Sequence, residues 1–109
     1  VELTRDPHVQ FAATLTKVTT HLRRIQNAMW LMLNRPKGEH DAVSWVVLEG
    51  CVLLFDWCEP LSALGHGDEV VEFLAWSTLA MESMVSLSTV KHLPWRTRLA
   101  VATCYAFED

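Results

Sequence analysis

FLAWSTLAMES, residues 73–83, decides the fold. Phe73, Trp76 and Ala80, continued by Met84 and Leu87, recur at spacings of three and four, which stacks them on one face of a helix. Glu69, Glu72, Ser83 and Ser86 fall on the other side. The run lies among three tryptophan-marked helical segments centred on Trp57, Trp76 and Trp95, and five tryptophans in 109 residues is several times ordinary usage. A buried aromatic ring removes roughly 150–250 Å² from water and needs a shaped site. The expected core anchors are therefore Trp45, Trp57, Phe73, Trp76, Met84, Trp95 and Leu99.

The rest of the chain repeats this helical pattern. Asp6-Pro7 has the form of a helix start, the carboxylate accepting from free N–H groups and Pro fitting the first turn. Phe11, Leu15, Val18, Leu22, Ile25, Met29 and Met32 then form one apolar stripe on a helix of about 27 residues, some 40 Å long at ~1.5 Å per residue. Arg35-Pro36-Lys37-Gly38 ends it, with Gly38 expected to permit the reversal. Residues 1–38 thus read as one long amphipathic helix, and residues 39–109 as a helical-repeat segment. Its helices are expected at about 41–58, 68–87 and 94–108.

The helix at 41–58 is apolar nearly all round, which suits the middle of a stack. Its rival is a β-hairpin turning at Glu49-Gly50, because Val43, Val46, Val47 and Val52 favour strands. Pro60, Gly65 and Gly67 mark a loop over 59–67, Asp68 is the expected cap of the next helix, and Pro94 opens the last. The last helix carries a stripe of Trp95, Leu99, Ala102 and Ala106, with Arg96 and Arg98 outside. Starts near residues 42, 68 and 94 recur at an interval of 26. The fold class is therefore all-α, with antiparallel helix pairs stacked as a tetratricopeptide-like α-solenoid. That repeat's motif is half present: Trp45 and Leu48 have its opening spacing, but Glu49 stands where a small residue belongs.

Composition narrows the function classes. Half the residues are hydrophobic, an excess that suggests faces covered by further chain or by a partner. The opening on Val1 and the helix still running near Asp109 suggest a fragment of a longer chain. The net charge of −4 is partitioned: residues 1–37 hold six cations and two acids, residues 38–109 three cations and eleven acids. A basic first helix beside an acidic remainder suggests that they dock on each other, or that each meets an oppositely charged partner. Lys17, Arg23 and Arg24 lie off the apolar stripe and are the candidate partner-binding residues. The acidic part argues against a nucleic-acid surface. No stretch is long and apolar enough to span a membrane.

No constellation carries chemistry, so no catalytic, cofactor-binding or metal-binding residue is assigned. Cys51 and Cys58 stand two turns apart on one helix face, too far to chelate one ion, and no second ligand pair accompanies them. With Cys104 they are expected as free thiols packed as small hydrophobes. His8, His21, His40, His66 and His92 fall near helix ends, in loops or on a polar face. His66 lies beside Asp68 and Glu69 but has no adjacent nucleophile. Ile25-Gln26 with Arg35 resembles part of an IQ motif, and a basic amphipathic helix attracts calmodulin-type partners. Trp30 occupies the motif's central basic position and Leu31 its glycine, so packing along the repeat is the favoured reading.

Three stretches carry a family resemblance: HDAVSWVVLEG (residues 40–50), EFLAWSTLAMES (72–83) and LPWRTRLAVATCYAFED (93–109). In order and separation they resemble the N-terminal region of the cilia- and flagella-associated protein fifty-four family, over about two-thirds of the chain. The most specific elements are Trp76 with Met81-Glu82-Ser83, and Trp95-Arg96. The resemblance implies a non-enzymatic structural subunit of a central-apparatus projection in the motile-cilium axoneme, needed for ciliary assembly and beating. It implies other large projection proteins as neighbours, calmodulin in the same complex, and microtubule association through that complex. It offers no catalytic residue to carry over. The alternative is a soluble cytosolic helical-repeat adaptor that binds a peptide or a calmodulin-like partner.

Overall fold

The structure, a computed structural model, describes residues 7–108. Its long elements are α1 (Pro7–Leu33), α2 (His40–Leu61), α3 (Gly67–Ser83) and α4 (Leu93–Phe107). Among the described residues every element is helical, and α2 runs unbroken through Glu49-Gly50, which removes the hairpin alternative. Asp6, the expected cap of α1, lies outside the described residues, as does the side chain of His8.

Consecutive helices pack on one another and reverse direction at each connection. The start of α1 meets the turn that follows α2, where the Phe11 and His66 rings lie tilted together at 4.8 Å. His21 meets Trp57 edge-on further along, and Met29 meets Gly50 at the far end. The helices alternate between two sides of a slab 54 × 27 × 15 Å, with α1 beside α3 and α2 beside α4.

The slab's centre is built from leucine and methionine side chains with small residues between them. Leu22, Met29, Val47, Cys51, Leu54, Cys58, Phe73, Leu74, Ala80, Met81, Met84, Leu99, Ala102 and Ala106 are buried, with Ser77 among them. Ser77 satisfies its hydroxyl by donating to the Phe73 carbonyl at 2.9 Å. Gly50 lets the Met29 side chain of α1 approach the α2 backbone closely: a Cβ there would fall inside van der Waals contact with Met29 Cγ and Sδ. Glu49, at the motif's small-residue position, is exposed, and the glycine that this contact requires is Gly50.

Two expected core anchors are not in the core. Trp45 is 66% exposed and Trp57 44% exposed. The buried face of α2 centres on Val47, Gly50, Cys51, Leu54 and Cys58, and a close helix approach leaves no room for an indole there. Trp76 and Trp95 are half-buried, packed against the edge of the core rather than within it. Phe55 meets Trp95 edge-on at 5.4 Å. Of the remaining anchors, Phe73, Met84 and Leu99 are buried. Cys104 is exposed, unlike its two buried counterparts.

The helix ends also depart from expectation. Pro60 lies within the last turn of α2, where it removes a single ladder bond and does not break the helix. The reversal comes at Gly65, which takes φ 92° within a wide turn over Ser62–His66, a conformation that favours glycine. Asp68 sits inside the first turn of α3, not at its cap, which is His66. Its charge and that of Glu69 still complement the helix dipole. Gly38 has no left-handed backbone; it lies in a short 3-10 turn, Lys37–Glu39. His40 finishes α1, its Nε2 bonding the Leu33 and Arg35 carbonyls at 3.2 and 2.9 Å. The third helix stops at Ser83, four residues early, because Met84 turns extended. Two 3-10 turns, Val85–Leu87 and Val90–His92, lead to α4, and they still return Leu87 to the core.

Candidate interaction surfaces

The residues singled out on α1 sit at its seam with α3. Val18, Leu22, Ile25 and Met29 turn inward, which leaves Lys17 and Arg24 exposed and brings Arg23 to the seam. Arg23 Nη1 donates to Glu72 Oε1 at 3.0 Å and to Gln26 Oε1 at 3.2 Å. Its guanidinium also lies 4.9 Å from the centre of the Phe73 ring. Of the three cations, Arg23 is therefore held by the acidic half of its own chain. The pair is largely exposed, 50% on the arginine and 70% on the glutamate, so it contributes little stability. Beside it runs an open hollow of about 520 Å³ lined by Thr16, Thr19, Thr20, Arg24 and Glu69. Thr16, Thr19 and Thr20 each donate to the carbonyl four residues back. The IQ-like segment is folded into this seam, with Gln26 buried and Arg35 paired with Glu39.

Arg96, expected on the outside of α4, is a latch instead. It donates to the Ser88 carbonyl at 3.0 Å and lies 3.8 Å from Glu82, which ties the connection before α4 to the end of α3. Arg98 lies over the Trp95 ring at 4.9 Å.

Burial pushes the Cys51 and Cys58 thiols up to about 12, so neither supplies a thiolate near neutrality. Cys51 Sγ donates weakly to the Ser77 carbonyl. His66 Nδ1 lies 3.6 Å from Glu69 Oε2. Among the described residues no group of three or more His, Cys, Asp or Glu side chains is placed to hold a metal ion. No helix among them is long and apolar enough to cross a membrane.

The surface that sequence reasoning missed lies between α2 and α4. Two adjoining hollows of about 280 and 290 Å³ run along that seam, floored by Phe55, Val101, Ala102 and Tyr105 with Glu59 at the edge. Its signal was present in α4: Val101 and Tyr105 are one turn apart on a face different from that of Leu99 and Ala106.

Comparison with known proteins points to one family. The family model described as cilia- and flagella-associated protein 54 matches residues 1–109. A mouse (Mus musculus) relative of that name is 32% identical over 69 residues, 63% of this chain and 2% of the relative. A human (Homo sapiens) relative of the same name is 31% identical over 69 residues, with the same coverage. The aligned stretch is thus a very small part of either relative. No solved structure matches the chain.

Proposed function

This chain belongs to the cilia- and flagella-associated protein 54 family, and from that premise we propose that it is one stretch of a structural scaffold in the axoneme. Family membership implies a cilium- or flagellum-associated role of a structural kind. The finer reading is a segment of a central-apparatus projection, needed for ciliary assembly and motility. In it, antiparallel helix pairs stack as part of a tetratricopeptide-like solenoid. Its neighbours are other large projection proteins, with a calmodulin-type protein in the same complex and microtubule contact made through the complex.

The observation that carries this reading is the family match across the whole chain, joined to an architecture of consecutively packed helices. A flat slab that leaves Leu64, Val85, Val90 and Phe107 at least 70% exposed is suited to burial within a larger assembly. The test is to tag the full-length protein in a motile ciliate or flagellate cell and locate the tag by cryo-electron tomography. Density on a central-pair projection, lost on deletion together with normal beating, is the expected result. A tag on the outer doublets or free in the cytosol would overturn the central-apparatus reading.

A further inference from the structure

We propose that the groove between α2 and α4 is a docking site for a basic amphipathic helix of a partner protein. The two helices run parallel. Phe55 lies beside Thr97 and Arg98 at one end of the groove, while Glu59 and Ser62 lie beside Tyr105 and Glu108 at the other. Between these ends Val101, 47% exposed, and Tyr105, 65% exposed, present apolar surface over buried Ala102. Anchors spaced by one helical turn in an open trough are what an inserted helix needs for its own i, i+3, i+4 stripe.

Charge complementarity selects the occupant. Both helices end at the Glu59–Glu108 end of the groove, where each places the negative pole of its dipole. Neither has a basic residue in its last turn. Glu59 and Glu108 are exposed and make no ion pair among the described residues. The whole of α2 carries Asp41, Glu49, Asp56 and Glu59 with no lysine or arginine. The one cation lining the groove, Arg98, is at the opposite end and lies over Trp95. Two carboxylates and two helix C-termini therefore converge where an apolar trough opens. A helix carrying lysine or arginine at one end of its apolar stripe satisfies both features, whereas an acidic helix or a purely apolar one satisfies at most one. This inference is independent of where in the cell the chain works.

The test uses the 109-residue chain and two labelled 18-residue helical probes. Both share one leucine stripe; one has lysine at its polar positions and the other glutamate. Fluorescence anisotropy at low salt should show binding of the lysine probe and none of the glutamate probe. Glu59→Gln with Glu108→Gln should weaken binding about fivefold, the loss of two solvent-exposed pairs. Val101→Glu should weaken it more, because it puts a charge on the trough floor. Asp41→Asn with Glu49→Gln removes the same charge from elsewhere on α2 and should leave binding within about twofold. All substituted positions are exposed, and circular dichroism checks that each variant keeps its helicity. Equal losses from both charge-neutralised pairs would mean diffuse attraction to an acidic surface and would overturn the proposal. So would binding of both probes, binding of neither, or indifference to Val101→Glu.

Discussion

Replacing Gly50 by alanine sets two opposed effects against each other where α2 receives the Met29 side chain of α1. In an isolated helix the change would help by about 0.8–1 kcal/mol, because alanine gives up less backbone entropy than glycine. Here the added Cβ would fall inside contact distance of Met29 Cγ and Sδ. Met29 is 1% exposed, so its side chain cannot swing into solvent, and inserting a methyl group into such a site costs about 1–3 kcal/mol. The expected net effect is a loss of roughly 0–2 kcal/mol, growing steeply for Gly50→Val and Gly50→Leu. The stricter measure is coupling. Met29→Ala alone should cost about 2–5 kcal/mol by leaving a cavity. In the Gly50→Ala background the new methyl partly fills that space, so the double variant should be more stable than the sum of the two losses by about 0.5–3 kcal/mol. Urea unfolding followed by circular dichroism gives all four corners of the cycle. A stabilised Gly50→Ala, or strict additivity, would refute the close approach of the two helices.

Arg23→Glu should cost about 1–2 kcal/mol, because a half-exposed ion pair and a cation–π contact are lost and Glu72 is then repelled. Adding Glu72→Arg should recover about half of that, since the swapped pair lacks the contact with Phe73; no recovery would remove the α1–α3 pairing from the account. Trp76→Ala should cost about 2 kcal/mol, below the ~3–5 of a fully buried ring, while Lys37→Ala on its exposed turn should cost less than about 0.5. Equal tolerance at the two sites would show that the edge of the core contributes nothing. A thiol reagent at pH 8 should label Cys104 in the native chain and reach Cys51 and Cys58 only on unfolding. Folding raises the two buried thiols from 9.0 to about 12, so the folded chain keeps protons that the unfolded chain gives up above pH 9. Stability from this source is full below pH 9 and falls as pH climbs towards 12, by on the order of 1 kcal/mol per thiol at pH 10. Cys58→Ala should lose less stability than the parent between pH 8 and pH 10, and an identical loss would count against the burial of Cys58.

Helix positions were legible in the sequence where a single stripe had polar residues opposite it. Leu22 and Met29 of α1, Phe73 and Ala80 of α3, and Leu99 and Ala106 of α4 are buried on such stripes. Legibility failed on α2, which is apolar on several sides, so hydrophobic mass could not say which face would be covered. Trp45 and Trp57 were drawn into the expected core by their size, yet the angle around the helix decides burial, and the covered angle belongs to Gly50, Cys51 and Cys58. The turn at Met84 was hidden for a related reason: Met84 and Leu87 continue the helical spacing and are buried, but they reach the core from an extended residue and a 3-10 turn. The role of Arg23 was only half visible. Its position off the stripe follows from spacing, whereas its reach to Glu72, forty-nine residues on, depends on α1 lying beside α3. The groove at Phe55, Val101 and Tyr105 likewise exists only once two helices distant in sequence run parallel.

The separation of charge between the first helix and the rest does not hold the fold together. Described α1 carries Lys17, Arg23 and Arg24 without a carboxylate, and α2 carries four carboxylates without lysine or arginine. Among the described residues, the cross-helix bridge from α1 runs past α2 to Glu72 of α3, between side chains 50% and 70% exposed. A pair of that kind is worth about 0.2–1 kcal/mol, whereas burying one leucine or methionine side chain contributes about 1.5–3, and the core holds Leu22, Met29, Leu54, Leu74, Met81, Met84 and Leu99. Packing therefore sets the stability, and the charges are left to act between surfaces. Lys17 and Arg24 point away on one side of the slab while Glu59 and Glu108 stand unpaired on the other. Exposed charges of this kind act over a Debye length of about 10 Å at 0.1 M salt, enough to orient an approaching partner before apolar contact forms. Raising the salt should accordingly slow association at either surface while leaving the unfolding midpoint of the chain nearly unchanged.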